Sequence, residues 1–401
     1  MREHRLEVAD VFRQYGETFL QRWGHTVSPQ QRKALRDIPA CRTAVLGGHI
    51  EQCDQCSHQA IAYNSCRNRH CPKCQSTARD KWLTERAKEL LPVPYCHVVF
   101  TIPEALAPLA LQNAQLVYAL LFRAVSQTLL EIAADPRRLG AQIGFLAVLH
   151  SWSQNLLHHP HIHCVVPAGG LAPDGSRWIY CRRKFFLPIK VLSRLFRGKL
   201  LAFLRDAFAE GKLQFHGQLS PLREPARFHA WLDRLKTINW VVYAKPPFGG
   251  PEYVLRYLAR YTHRVAISNE RLLRLENGQV TFRWRDSKDH NQTKTMTLDA
   301  VEFIRRFLLH ILPCGFVKIR HFGFLSSRRR SAALAACRQL LPPLATDASA
   351  IPLLSHPQQS AMERCCPVCQ TGHMQIKGWL SAQELLGITA HGMAAAPLDS
   401  S

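Results

Sequence analysis

The chain has 401 residues, 47% apolar and 9% aromatic, enough to bury the cores of two or three domains and to exclude a disordered protein. Lys and Arg number 52 against 29 Asp and Glu, a formal charge of +23 with a pI near 9.8, so a polyanion is the expected partner. The basic residues are spread along the chain and not gathered on one amphipathic helix, which favours nucleic acid over a membrane surface.

No apolar run approaches the ~18 to 20 residues of a membrane span. The opening MREHRLEVADVFRQYG lacks the apolar stretch of a secretory signal. A cytoplasmic protein with no membrane partner is therefore expected, and there 14 cysteines point to metal ligation and not to disulfides.

Residues 1–92 read as a small zinc-binding, DNA-contacting domain. An amphipathic helix is predicted first, with Val8, Phe12, Tyr15, Phe19 and Trp23 recurring on one face. A cysteine-dense segment follows, then a helix over about 76–91 that stops at the linker Pro92-Val93-Pro94. Cys53 and Cys56 form one C-x2-C pair and Cys71 and Cys74 another, 14 residues further on. Two thiolate pairs at that separation suit one tetrahedral structural Zn²⁺ site, because each tight turn aims both sulfurs at one ion. Cys66, His70, His58 and His49 crowd the same stretch, as replacement ligands or members of a second site. Arg67, Arg69 and Lys73, on and beside the zinc turn, read as DNA contacts, with Arg79 and Lys81 close by.

Residues 93–343 have a different texture. YCHVVFTIP, from Tyr95, is β-rich, 104–134 carries the apolar period of a helix, and 143–152 and 161–170 are strand-like. Asp174-Gly175 marks a hairpin loop before RWIYCRRKF. Helices over 189–210 and 224–237, a strand in NWVVYAK and a helix over 251–261 follow. The strands QVTFRWRDS and TKTMTLD, a helix over 303–312 and strand-like GFVKIRHFGFL complete an α+β domain with a mostly antiparallel sheet.

The segment HHPHIHCVV holds the clearest chemical signal. Strand alternation sends His159, His161 and His163 to one face while Ile162 and Cys164 point to the other. A lone histidine is most often an ordinary core residue, but three on one face cost too much without a partner, and imidazole is the commonest neutral metal ligand. Two histidines leave positions open for a phosphate oxygen, water and a third ligand, for which Gln154, Asn155 and His150 are candidates.

In EYVLRYLARYTHR, Tyr253, Tyr257 and Tyr261 share one helical face. By spacing alone, an aromatic stripe packed on the sheet is the commoner outcome. Two features shift that balance: Arg256, Arg260, His263 and Arg264 are interleaved, and the chain already holds a metal site able to polarise a phosphate. Beyond about Pro342 the chain is Ala-, Ser- and Pro-rich, a C-terminal tail over 344–401 with the composition of a disordered segment. Cys366 and Cys369, with Cys365 and His373 beside them, make half of a zinc site, evenly balanced against free thiols.

A His-hydrophobic-His strand followed by paired helical tyrosines resembles the single-strand DNA endonucleases named for that histidine motif. With its cysteine-rich front end the chain resembles transposases of the insertion sequence ninety-one family. The carrying motifs, in the expected order, are Cys53-Asp54-Gln55-Cys56 with YNSCRNRHCPKCQ, then QNLLHHPHIHCVVPAGG, then YLARYTHRVAIS, and the likeness spans roughly residues 5–340. The resemblance implies an antiparallel-sheet endonuclease domain behind a zinc-binding domain. It implies metal-dependent cleavage of one DNA strand through a 5′-phosphotyrosine, rolling-circle transposition, and single-stranded transposon ends as partner. His161 and His163 would bind Mg²⁺ or Mn²⁺, Tyr257 and Tyr261 would be the nucleophiles, and Arg256, Arg260 and Arg264 would contact DNA, with Tyr253 left as scaffold. No GxxxxGK loop is present, so strand unwinding would fall to host replication or helicase proteins. A zinc-dependent DNA-binding protein without catalysis, or a phosphoesterase using water, are the competing readings.

Overall fold

The structure is a computed structural model that describes residues 5–182, 186–248, 266–286, 289–290, 292–342 and 364–390. Its strands, in chain order, begin with β1 (Gly48–Cys53), β2 (Gln59–Tyr63), β3 (Tyr95–Thr101), β4 (Gly144–Trp152) and β5 (His158–Pro167). The short β6 (Gly169–Leu171) and β7 (Trp178–Tyr180) pair with each other, and β8 (Val242–Phe248) follows. The chain then forms β9 (Leu272–Glu276), β10 (Gln279–Asp286), β11 (Gln292–Asp299), β12 (Ile319–Gly323), β13 (Arg364–Cys365) and β14 (His373–Leu380).

The central sheet has the order β12-β4-β5-β3-β8, and every neighbour pair in it is antiparallel. One face carries Val98, Phe100, Ala147, Leu149, Ile162 and Cys164, which belong to one core with the helices Ala114–Ala134 and Ile189–Ala209. Sheet face and helix stripe thereby hide each other's apolar surface. On the opposite face Leu146, Val148 and Val165 pack against Leu334 and Cys337 of the helix Arg330–Leu340 at one end of the strands. The histidines occupy the same face further along. The α+β architecture with antiparallel sheets is thus as expected.

Local chemistry explains several boundaries. The expected helix over 104–134 is broken at Asn113, whose side chain donates to the Leu109 carbonyl (3.2 Å) and exchanges two further bonds with the Gln214 backbone (2.8 and 2.7 Å). A helix the sequence reading passed over, Pro29–Ala40, opens with a reciprocal capping box between Ser28 and Gln31. The helix predicted over 303–312 runs instead over Ala300–Leu308, because Asp299 accepts from the Val301 and Glu302 N–H groups. Ala114–Ala134 is, by length and composition, apolar enough to cross a membrane, contrary to the expectation that no such run exists. Its apolar residues, Tyr118, Leu121 and Phe122 among them, are spent on the core.

The boundary drawn at residue 92 runs through a shared core. Val8, Phe12 and Phe19 of the first helix, Val8–Trp23, pack with Phe282, Phe303 and Phe307. Phe12 meets Phe307 edge-on, with ring centroids 5.2 Å apart. The C-terminal segment is likewise tied in: β14 pairs antiparallel with β1, giving a sheet of order β13-β14-β1-β2.

Candidate metal centres and nucleic-acid interface

The first metal candidate is a group of four thiols, Cys41, Cys66, Cys71 and Cys74, whose sulfurs lie within 4.8 Å of one another. Cys41 ends the helix Pro29–Ala40, while Cys71 caps and Cys74 sits in the first turn of Pro72–Ala87, with Pro72 as its opening residue. That helix begins earlier than the 76–91 expected because the cysteine turn and the helix start are one structure. A second group, Cys53, Cys56, Cys366 and Cys369, is equally compact. The single site expected from Cys53, Cys56, Cys71 and Cys74 is therefore not the arrangement found. Each C-x2-C pair goes to a different cluster, one completed by Cys41 and Cys66, the other by the C-terminal pair.

Both groups fit zinc. A tetrahedral ion with Zn–S bonds of ~2.3 Å holds its sulfurs about 3.8 Å apart. The contacts Cys41–Cys74 (3.5 Å), Cys66–Cys74, Cys53–Cys369 and Cys56–Cys366 (3.6 Å each) approach that spacing and are far too long for disulfides. His70 is not among the ligands: its Nε2 accepts from the Leu312 N–H at 3.1 Å, and burial holds its pKa down to about 3. His49 pairs with Glu51 instead (3.1 Å).

The third group is His150, His161 and His163. Antiparallel register sets His150 on β4 opposite His161 on β5, and His163 follows two residues on, so alternation puts all three on one face. Ring centroids are 4.3 Å apart for His150 and His163 and 4.9 Å for His161 and His163. Of the candidates for a third ligand, His150 is the one the fold brings in. Gln154 and Asn155 lie in the turn beyond Trp152, their backbone carbonyls taken by Arg271 (2.5 Å) and Arg306 (3.2 Å). His159 stays close, with its carbonyl accepting from the Nδ1–H of His161 at 2.7 Å. A carbonyl can only accept, so the proton sits on Nδ1 and the Nε2 lone pair of His161 is left for a cation.

Burial, the main cause, holds His161 down to about 4 and drives His163 well below the ordinary histidine value, so both stay neutral and able to ligate near pH 7. His97, on β3, bonds His163 through Nε2···Nδ1 at 2.9 Å and stacks on it. Sequence reasoning missed His97, although it stands opposite Val165 on the same sheet face, a position that pairing β3 with β5 identifies. Three neutral imidazoles form a donor set that suits a borderline divalent ion and, with no more than three ligands, leaves room for phosphate or water.

The basic residues fare unequally. Arg67 is exposed on a left-handed turn residue (φ 51°). The Arg69 guanidinium instead donates to the carbonyls of Phe316 (2.7 Å) and Pro313 (3.0 Å), and Lys73 pairs with Glu7 at 2.7 Å. Both side chains tie the cysteine segment to neighbouring parts of the fold, Lys73 to the N-terminal end of the first helix and Arg69, still an exposed residue, to residues 313–316. Tyr253, Tyr257, Tyr261, Arg256, Arg260 and Arg264 lie outside the described residues.

Comparison with known proteins agrees with this arrangement. Residues 11–102 match the family described as "Transposase zinc-binding domain", and residues 144–332 the family described as "Putative transposase". The chain is 56% identical over 375 residues to "Putative transposase y4qJ" of Sinorhizobium fredii (strain NBRC 101917 / NGR234), covering 92% of this chain and 94% of that one. It is 30% identical over 353 residues to "Transposase for insertion sequence element IS801" of Pseudomonas savastanoi pv. phaseolicola, covering 80% and 76%. No solved structure matches. The six cysteines of the front end fall inside the first matched segment and the histidine triad inside the second, and the chain belongs to the transposases of the insertion sequence ninety-one family.

Proposed function

We propose that this transposase cuts one strand of single-stranded transposon-end DNA at the histidine triad, with Tyr257 or Tyr261 as nucleophile. The observation that carries the reading is the convergence of His150, His161 and His163 on one face of the two central strands. When bound there, a divalent cation polarises the scissile phosphate. Three imidazoles without a carboxylate favour Mn²⁺ over Mg²⁺. His97 fixes the ring of His163, and the His159 carbonyl fixes that of His161, so the ligands are oriented before DNA arrives.

In the step itself the tyrosine oxygen forms a bond to phosphorus as the 3′-oxygen leaves. The phenol gives up its proton, and the departing oxygen takes one to become a 3′-hydroxyl. One phosphodiester is exchanged for another, so the 5′-phosphotyrosine keeps the energy of the broken bond. A second tyrosine permits a second exchange, as strand transfer of the rolling-circle kind needs. Arg67, Arg256, Arg260 and Arg264 are read as contacts to the DNA backbone, the role their charge suits.

The test uses labelled single-stranded end DNA with Mn²⁺ and mass spectrometry of the adduct peptide. Wild-type protein should yield a phosphotyrosine at Tyr257 or Tyr261, and the Tyr257→Phe/Tyr261→Phe double variant should bind DNA without cutting it. Full cleavage by the double variant would overturn the tyrosine mechanism in favour of water.

A further inference from the structure

The matched zinc-binding segment ends at residue 102, yet the second cysteine cluster takes half its sulfurs from residues 366 and 369. We propose that Cys53, Cys56, Cys366 and Cys369 form a second structural zinc site that clamps the C-terminal segment onto the N-terminal sheet.

The two halves of this cluster are built alike. In each C-x2-C turn a backbone N–H two residues on donates to the first sulfur: Gln55 to Cys53 and Val368 to Cys366, both at 3.4 Å. In each turn the residue after the second cysteine has a left-handed backbone, Ser57 at φ 58° and Gln370 at φ 59°. N–H donors aimed at sulfur favour the thiolate, the form that ligates. The Gly372 N–H likewise bonds the Cys369 sulfur, at 3.3 Å.

The halves also fit each other closely. A Cβ added at Gly372 would stand 2.5 Å from the Cys53 sulfur and 2.7 Å from Asp54 Oδ1, so only glycine lets the second turn seat against the first. Asp54 Oδ1 accepts the His373 N–H at 2.8 Å, and the Asp54 N–H reaches the His373 carbonyl at 3.1 Å. Next to the cluster, β14 pairs with β1 from Cys53↔Met374 to Gly48↔Leu380. Four thiols without a metal would put up to four negative charges in one small volume, and a zinc ion offsets them.

The test is a count of sulfur-bound zinc in the full chain, made in a His161→Ala/His163→Ala background so that imidazole-bound metal does not enter. With both cysteine clusters loaded, the count is two per chain, all of it sulfur-coordinated by X-ray absorption. Adding Cys366→Ser/Cys369→Ser lowers it to one and opens Lys377 to trypsin. If zinc sat instead on Cys53, Cys56, Cys71 and Cys74, the count would be one and would survive loss of Cys366 and Cys369. A count of one in the parent overturns the proposal even where the serine variant fails to fold, as does a count that the serine changes leave at two.

Discussion

The histidine triad takes its three side chains from two neighbouring strands, whereas the cysteine clusters collect theirs from turns and helix ends, in one case from opposite ends of the chain. In the triad, strand pairing does the assembly, and the imidazoles stand in register before any ion binds. In the clusters separate turns and helix ends, each held by its own neighbours, bring four thiols together, and a bound ion offsets the charge they would otherwise crowd. The coordination differs too. Four thiolates close a tetrahedral site, while three imidazoles leave it open, as chemistry requires. Loss of a histidine should therefore cost activity and spare the fold, and loss of a cysteine should do the reverse.

The largest effect expected is on cleavage. His163→Ala should lower the rate ~100-fold or more, since a ligand must count for at least as much as the partners that orient it, while the melting temperature falls less than in a zinc-cysteine variant. A variant that still cuts at the wild-type rate would remove the triad from the chemistry. Cys71→Ser should instead lose zinc and unfold the front end at moderate temperature, seen as early loss of near-ultraviolet dichroism. If Cys366→Ser lowered the melting temperature as far as Cys71→Ser does, the local cluster and the end-joining one would be equal in weight.

Intermediate effects probe the connections. Phe307→Ala should cost about 3–5 kcal/mol by urea denaturation, because this buried ring packs the first helix onto the β9–β11 layer. His97→Gln should weaken Mn²⁺ binding by ~10- to 100-fold at unchanged fold, measured by calorimetry; an unchanged affinity would make His97 mere packing.

The smallest effect is the pH dependence of stability. Burial holds His310 down to about 3 from an ordinary 6.5, so below 6.5 the unfolded chain binds the proton first and stability falls until about 3. Glu302 is held at about 2, chiefly by Arg305, so its contribution is present above 4.5 and fades as pH drops toward 2. Urea midpoints from pH 7 to 5 should decline with His310 intact and decline less in His310→Gln.

The legibility of each site follows from how far apart its parts lie in the sequence. His161 and His163 are two residues apart on a strand, so alternation alone aligns them. His150 needed the β4–β5 register, which a sequence shows only as two runs and a turn. Cys41 was invisible because a lone cysteine at a helix end has no spacing to read, though the capping box at Ser28 could have located that helix and its end. Cys366 and Cys369 read as half a site, and the fold sets them beside Cys53 and Cys56, whereas local spacing pairs Cys53 and Cys56 with the nearer Cys71 and Cys74. Arg69 and Lys73 show what charge alone leaves out: both also bond within the fold, to the Pro313 and Phe316 carbonyls and to Glu7.

The pairing of β14 with β1 also sets a schedule. β1 gains β2 at once, by a local hairpin, but Cys56 and Cys366 are separated by 310 residues. At ~5–20 residues per second of synthesis, that leaves β1 with one edge uncovered for tens of seconds. An uncovered strand edge is a template for pairing with other chains. The last of the described strands to be made therefore acts as the stopper on one of the first, and a nascent chain interrupted before residue 373 would carry both the paired histidine strands and an adhesive edge.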